Sequence, residues 1–382
     1  MRRYEATVAV RDVMMGFAET TGLASADTPP RRYLWTDAFA VCNFLELFQR
    51  TNEAIYRDLA LRLVDQVHHI LGRHRLDGGW ISGLDEQEGE LHPTRGGLRI
   101  GKSLDERRPG EPLDENLEWD RDGQYFHYLT KWMHALNCVS RVTGDATFLQ
   151  WAMDLAQAAQ ARFIYQPSSG GRKRMYWKMS VDLTRPLVPS MGQHDPLDGF
   201  VSFLELQAAS RNFPQTSFPD LTAGLEDLAA MCRGQSWITD DPLGIGGLLF
   251  DAWRVAQLAG TGDCGEANLL EAALDSAYVG LQSFEKDNPL KYQARHRLPF
   301  RELGLSIGLK AVGELQKWLE ENPRMNLQRS VEGLTQYVPL SELIERFWLD
   351  GKNREGETWT DHREINMVML ATRLASDEFL TA

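Results

Sequence analysis

The chain has 382 residues, of which 43% are hydrophobic and 10% aromatic, and its formal net charge is -13 at pH 7. This hydrophobic fraction is large enough to form a folded core, and it excludes global disorder. The negative charge would repel a phosphate backbone, so nucleic acid is not expected as a partner.

The N-terminal residues Met1–Glu5 lead into no uninterrupted apolar stretch, and no window approaches the roughly 20 apolar residues of a membrane span. We therefore expect no signal peptide, no contact with a membrane and a cytoplasmic protein. Cys42, Cys138, Cys232 and Cys264 form no C-x-x-C pair. This spacing predicts reduced, buried thiols, and we expect no metal site and no cofactor.

Helical periodicity dominates the chain, and amphipathic helices alternate with helices that are apolar on most faces. A helix that is apolar on most of its faces is expected to be buried on most of its faces. In chain order, starting with an amphipathic helix, the predicted helices are Tyr4–Phe17, Trp35–Phe48, Ile55–Ile70, Tyr125–Val142, Phe148–Phe163, Phe200–Ala209, Leu221–Met231, Leu243–Leu258, Ala267–Phe284, Leu303–Leu315, Leu327–Trp348 and Ile365–Leu374. Six of each kind predict an inner and an outer ring of helical hairpins. The expected fold is all-α, an (α/α)6 toroid that forms one domain over residues 1–382.

The connections that enter the apolar helices are long, and they include residues 73–120, 165–195 and 286–301. Long connections in a compact domain usually carry function. Because each ends where an apolar helix starts, we expect all of them to gather on one face, which should hold the site. Within them, Met175–Met179 alternates after two glycines and predicts a short β-hairpin insertion.

Carboxylates, aromatic rings and imidazoles recur near the starts of the apolar helices. The candidate substrate-binding residues are Trp35, Asp37, Tyr125, Trp177, His194, Glu302, Trp359 and Asp361. Aromatic rings stack on the apolar faces of a pyranose, and carboxylates and imidazoles pair with its hydroxyls. Aspartate is also a favoured helix N-cap, so a single Asp there needs no catalytic explanation. Capping does not explain the accompanying Trp and His, and the whole set predicts a sugar site.

Asp122 is the strongest single catalytic candidate, since it lies between a long loop and an apolar helix. Asp198, at the start of the next apolar helix, is the second. Cleavage of a glycosidic bond uses one protonated and one ionised carboxyl group. His127 and His134 lie on one helix face, but core packing is the preferred interpretation because no third metal ligand is spaced to join them.

The segment Trp119–Tyr125, followed by Tyr128–Met133 and Thr143–Asp145, resembles an inner hairpin of the six-hairpin glycosidase superfamily. As architecture the resemblance covers nearly the whole chain, and as motif it covers only these short stretches. Members of that superfamily often use Asp or Glu at such helix starts as general acid and base. The resemblance therefore implies Asp122 as the acid and Asp198 as the base.

More distantly, the chain resembles the N-acylglucosamine 2-epimerase and cellobiose epimerase group, which uses the same ring and two histidines. Trp359–Arg363 is similar to the C-terminal catalytic histidine segment of that group and implies a role for His362. The other histidine of the group stands in a Gly-His-x-x-Glu pattern, and here Pro299 takes its place. His296 and His194 are the available substitutes.

Three functions stay open at this stage. The leading hypothesis is an inverting glycoside hydrolase that uses the two aspartates and stacks its substrate on Trp35, Trp177 and Trp359. The second is a sugar 2-epimerase or isomerase that transfers a proton with a histidine pair. The third is a non-catalytic sugar-binding or scaffold protein. We expect a small-molecule or oligosaccharide substrate, whereas its identity, the anomeric outcome and the oligomeric state are not specified by the sequence.

Overall fold

The computed structural model describes residues 3–25, 28–258, 265–323 and 325–382, so Cys264 lies outside the described residues. In chain order the helices are α1 (Arg3–Thr20), α2 (Leu34–Thr51), α3 (Ala54–Leu71), α4 (Glu86–Leu91), α5 (Glu115–Glu118), α6 (Phe126–Thr143), α7 (Ala146–Phe163), α8 (Asp195–Ser210), α9 (Thr222–Cys232), α10 (Pro242–Leu258), α11 (Gly265–Asp287), α12 (Pro299–Glu321), α13 (Met325–Thr335), α14 (Val338–Leu349), α15 (Glu357–Thr360), α16 (Arg363–Leu374) and α17 (Asp377–Leu380). The strands are β1 (Gln124–Tyr125), β2 (Ile164–Tyr165), β3 (Arg174–Met175), β4 (Lys178–Met179) and β5 (Pro186–Val188). Among the described residues, the long helices follow the predicted alternation.

The chain divides into two compact units. The loop-rich unit comprises Ala18–Phe48 and Asn52–Arg233, and the C-terminal unit comprises Met1–Phe17, Gln49–Thr51 and Gly234–Ala382. The organisation of residues 1–382 as one domain stays a prediction. Within the ranges that the structure describes, no helix is long and apolar enough to cross a membrane.

In the loop-rich unit, the contrast between the two kinds of helix matches their burial. Every residue of α2 from Leu34 to Leu47 is buried, whereas α3 buries one face that includes Leu59, Leu63 and Val67. The turn between α6 and α7 shows how the sequence ends one helix and starts the next. Gly144 adopts φ 72° and donates its N–H to Ser140, and the side chain of Asp145 then caps α7. This turn makes α6 and α7 an antiparallel hairpin.

The strands all belong to the long loops of the same unit. β4 lies between β1 and β5, and β2 pairs with β3, with every pair antiparallel. The predicted β insertion in this loop is present, but its two halves, β3 and β4, belong to different sheets. The chain changes partner in between, where Tyr176 donates to the carbonyl of Phe163 and Trp177 donates to that of Ser190.

In the C-terminal unit, α12 packs against α10, α14 and α16. Glycines permit the close approach of α10 and α12, since a Cβ on Gly246 would lie 2.2 Å from the carbonyl oxygen of Gly304. The predicted helix Leu327–Trp348 is divided into α13 and α14. Pro339 explains the division, because it stands in the first turn of α14, where its missing N–H costs no hydrogen bond.

Candidate active site

The residues selected from the sequence fall into two groups, one in each unit. In the loop-rich unit are Trp35, Asp37, Asp122, Tyr125, Trp177, His194 and Asp198, and in the C-terminal unit are Glu302, Trp359, Asp361 and His362. In both groups the residues lie in or beside the first turn of an inner helix, or in the loop that precedes it.

A cluster of aromatic rings lies where β1 runs into α6. The Tyr125 ring stacks on His127 at 5.3 Å and contacts Trp177 at 4.8 Å between centroids. Trp119, 56% exposed, meets Trp177 edge-on at 4.8 Å. Lys178 is fully buried beside this cluster, 5.4 Å from the Tyr125 ring, and it pairs with Glu118. Tyr125 is buried among these rings, whereas Trp177 is half-buried and Trp119 is exposed, so only the last two can stack on a pyranose.

Next to these rings, Asp195 and His127 form a close pair of polar groups. Asp195 Oδ1 lies 3.7 Å from His127 Nδ1, and both His127 Nδ1 and Asp195 Oδ2 are buried without a hydrogen-bond partner. A Cβ on Gly192 would lie 2.4 Å from Asp195 Oδ2, so only glycine lets the carboxyl group occupy this position. Buried polar atoms without partners are rare and mark a place where a ligand can supply the missing bond.

The pKa values of this pair are shifted in opposite directions. Burial raises the pKa of Asp195 from 3.8 to about 7, and the nearby Asp198 adds to the increase, whereas Lys131 opposes it. Burial also lowers the pKa of His127 from 6.5 to about 4. Around pH 7, His127 is therefore neutral and Asp195 is partly protonated, which makes Asp195 able to donate a proton.

Asp198 lies three residues further along α8 in a different environment. Its carboxylate receives hydrogen bonds from Lys131 Nζ at 2.6 Å and from Thr130 Oγ1 at 2.5 Å. A cation at this distance stabilises the ionised form. The same site thus holds one carboxyl group that can carry a proton and one that is held as an anion. His194 stands beside them as the N-cap residue of α8, and its carbonyl accepts the N–H of Asp198.

Asp122 is buried within an ionic cluster of its own. Arg99 Nη1 donates to it at 2.6 Å, Arg75 Nη2 at 2.8 Å and the backbone N–H of Gly101 at 3.0 Å. Two guanidinium groups and a backbone N–H hold both oxygens as an anion that ties the long loop to β1. This environment suits a structural carboxylate, not a proton donor.

The other two predicted residues of this unit also serve local structure. Asp37 accepts the backbone N–H of Tyr33 at 2.9 Å at the start of α2, and burial raises its pKa to about 6. The buried Trp35 ring packs on Phe39 with centroids 4.4 Å apart.

In the C-terminal unit, Trp348 links two of the predicted residues. Its indole N–H donates to Glu302 at 2.8 Å, and its ring stacks on Trp359 at 6.0 Å. Glu302 also receives a fork of hydrogen bonds from Arg297, so its carboxylate is fully engaged. Asp361 and His362 are exposed next to this buried group, and the His362 ring lies 5.6 Å from that of Phe300 on α12.

Solved structures share this arrangement of helices. A family 76 glycoside hydrolase from a bovine Bacteroides thetaiotaomicron strain aligns with a TM-score of 0.56 and 9% identity over 99% of this chain and 78% of that one. A GH76 alpha-mannanase from Bacteroides thetaiotaomicron gives a TM-score of 0.54 and 9% identity over 100% and 97% of the chains. A D-mannose isomerase gives 0.54 and 13% identity over 98% of each.

The chain has the six-hairpin (α/α)6 fold. This finding confirms the predicted fold class and, at the level of fold, the resemblance to the six-hairpin glycosidase superfamily. No protein-family model matches the sequence, and no curated protein matches it significantly. At such low identity the similarity shows the fold alone.

The structure adds site residues that the sequence interpretation did not select, namely His127, Thr130, Lys131 and Asp195. Two signals for them are present in the sequence. Spacings of three and four residues place His127, Thr130 and Lys131 on one face of α6. A spacing of three residues places Asp195 and Asp198 on one face of α8. What the sequence does not contain is the contact between these two faces, which joins residues more than 60 positions apart.

Proposed function

We propose that the protein is a carbohydrate-active enzyme that hydrolyses a glycosidic bond at the loop-rich unit. In this proposal Asp195 is the general acid and Asp198 the ionised carboxylate that acts as base. The observation that carries it is a pair of carboxyl groups in opposite environments, one with a pKa near 7 and the other held by Lys131. Such a pair is what an acid–base glycosidase mechanism requires.

The proposal keeps the function expected from the sequence but moves the acid from Asp122 to Asp195. Both oxygens of the buried Asp122 are engaged by Arg75, Arg99 and the backbone N–H of Gly101, so neither is placed to contact a substrate. Asp195 has one oxygen without a partner, and that oxygen can donate to the leaving-group oxygen of a glycoside. As the bond from the anomeric carbon to the leaving oxygen breaks, Asp195 gives its proton to that oxygen. Water forms the new bond to the anomeric carbon, and Asp198 takes up the proton that the water loses.

The aromatic rings supply the remaining part of the site. The half-buried Trp177 offers a flat apolar surface near the carboxyl pair, Trp119 extends that surface toward solvent, and the buried Tyr125 supports Trp177 from within. Stacking on such rings would hold a sugar ring beside Asp195. Two of the structurally similar proteins are named for mannan or mannose, which makes α-mannosides and manno-oligosaccharides the first substrates to screen.

The decisive variant is Asp195→Asn, with Asp58→Asn as a matched control because Asp58 is exposed on α3. Loss of the general acid should lower kcat on an oligosaccharide about 10²–10⁴-fold. An activated aryl glycoside, whose leaving group needs no proton, should lose much less. Equal losses on the two substrates would exclude Asp195 as the acid, and unchanged activity on both would refute the assignment altogether.

A sugar isomerase or epimerase is the second candidate, and His127 is the observation that favours it. Its neutral imidazole has a buried, unpartnered Nδ1 beside Asp195, and an imidazole in this state can move a proton next to a carbonyl group. His362 is the other histidine available to this candidate, in the C-terminal unit.

Deuterium uptake from solvent separates the two functions. An isomerase or epimerase exchanges the proton at the sugar C2, whereas a hydrolase does not. The wild-type protein should release reducing ends without incorporating deuterium. Deuterium uptake by the wild-type protein without bond cleavage, and loss of that uptake in His127→Gln or His362→Asn, would contradict the hydrolase and support the isomerase or epimerase.

A further inference from the structure

Two cysteines and a histidine meet in the interior of the loop-rich unit, away from the groups already described. Cys42 comes from α2, and His134 and Cys138 come from α6, one turn apart on the same helix face. Their Sγ and ring nitrogen atoms all lie within 4.8 Å of one another, and His134 Nε2 is 3.7 Å from Cys138 Sγ. All three residues are buried.

We propose that Cys42, His134 and Cys138 bind one thiophilic metal ion, with Zn²⁺ as the preferred occupant. Zinc takes thiolate sulfur at about 2.3 Å and imidazole nitrogen at about 2.0–2.1 Å, which places the atoms of a tetrahedral set roughly 3.5–3.8 Å apart. His134 Nε2 and Cys138 Sγ already lie at this distance, and any longer separation, up to 4.8 Å, would have to contract by about 1 Å around the ion. Soft thiolates favour zinc over magnesium or calcium, which prefer oxygen ligands.

The orientation of the histidine supports this inference. Glu205 on α8 contacts His134 Nδ1 at 2.9 and 3.1 Å, and Asn137 Nδ2 donates to the same carboxylate at 2.7 Å. A proton on Nδ1 is therefore fixed toward Glu205, and Nε2 faces the two sulfur atoms. A carboxylate behind a metal-binding imidazole is the usual partner that sets its tautomer and raises its basicity.

The charges at this place also suit a divalent ion. Arg141 Nη2 lies 3.5 Å from Cys138 Sγ and favours the thiolate form. Two thiolates and one neutral imidazole would cancel the two positive charges of zinc, which makes burial of the ion feasible. His127, on the same face of α6 as His134, is not part of this group.

The ion would have a structural role. It would connect α2 to α6 and, through Glu205, to α8, and the last two helices carry His127, Asp195 and Asp198. His134 follows His127 by two helical turns, so the metal would lie about 10 Å deeper along α6 than the Asp195–His127 pair. This inference is independent of the proposed function.

The test begins with the metal content of the full chain, purified without chelators and measured by mass spectrometry. About one zinc per chain is expected, and the Cys138→Ser and Cys42→Ser variants should lose most of it. Cys232→Ser is the matched control, because Cys232 is also buried in the loop-rich unit but lies outside the cluster. No zinc in the wild-type protein, or equal zinc in Cys42→Ser, Cys138→Ser and wild type, would overturn the proposal.

A spectroscopic readout does not depend on how well the cysteine variants fold. Protein produced in cobalt-supplemented medium should show a sulfur-to-cobalt charge-transfer band and intense tetrahedral d–d bands. The Glu205→Gln variant should keep these bands but bind the metal about 10–100-fold more weakly. Cobalt that binds with only the weak bands of an octahedral, oxygen-ligated ion would refute a site built from Cys42 and Cys138.

Discussion

Replacing Asp122 by Asn tests whether this residue holds the loops together or takes part in catalysis. The substitution removes one negative charge from between Arg75 and Arg99 and keeps the size of the side chain. Arg99 is the more affected partner, since its side chain is only 6% exposed. Breaking a buried ion pair from one side costs about 3–5 kcal/mol. Arg99 keeps its bonds to the carbonyls of Ile70 and Arg73, so we expect a loss near 3 kcal/mol.

The assay is urea unfolding followed by tryptophan fluorescence, with the free energy obtained by linear extrapolation. Asp105→Asn is the matched control, because Asp105 pairs with the same Arg75 but at 3.8 Å and with 76% of its side chain exposed. It should change stability by less than about 1 kcal/mol. An Asp122→Asn protein of unchanged stability that has lost all activity would show that Asp122 is catalytic and that Asp195 was chosen wrongly.

Three further predictions concern the proposed site. Lys131 lowers the pKa of Asp195, so Lys131→Met should move the basic limb of the pH–rate profile above pH 7, as measured by kcat/KM. The lowered pKa of His127 means that the unfolded chain takes up a proton between pH 6.5 and about 4 that the folded chain does not. Stability is therefore lost as pH falls through this window, by at most about 3 kcal/mol, and His127→Gln should remove that part of the loss in urea titrations at several pH values. Trp177→Ala should raise KM roughly five- to tenfold with little change in kcat, because it removes about 1 kcal/mol of ring stacking.

The helical fold could be predicted because its signal is local. Each helix shows its own period and its own end signals, and the alternation of buried and amphipathic helices specifies two rings without knowledge of any contact. The predicted helix Leu327–Trp348 is divided by a local signal, Pro339. The β segment Met175–Met179 is divided between two sheets because Tyr176 and Trp177 bond to different parts of the chain, Phe163 and Ser190.

The candidate site was harder to predict because the surroundings of each carboxyl group come from residues distant in the sequence. Asp122 looks catalytic when only its neighbours in sequence are considered, but its surroundings come from Arg75 and Arg99 in the preceding loop. Asp195 looks like an ordinary residue at a helix start, and its raised pKa comes from burial and from the nearby Asp198 in the folded chain. Side-chain type and spacing can suggest that a sugar site exists, whereas the protonation state of each carboxyl group depends on contacts between helices.

The most direct test of the account is the pH dependence of kcat/KM on an oligosaccharide substrate. This ratio reports the ionisation of the free enzyme, so a general acid with a pKa near 7 predicts a fall of about tenfold per pH unit above that point. This fall in kcat/KM above pH 7 should be absent from the residual activity of the Asp195→Asn variant. A profile that stays flat well above pH 7, or a limb that persists unchanged in Asp195→Asn, would contradict the assignment of Asp195 as the proton donor.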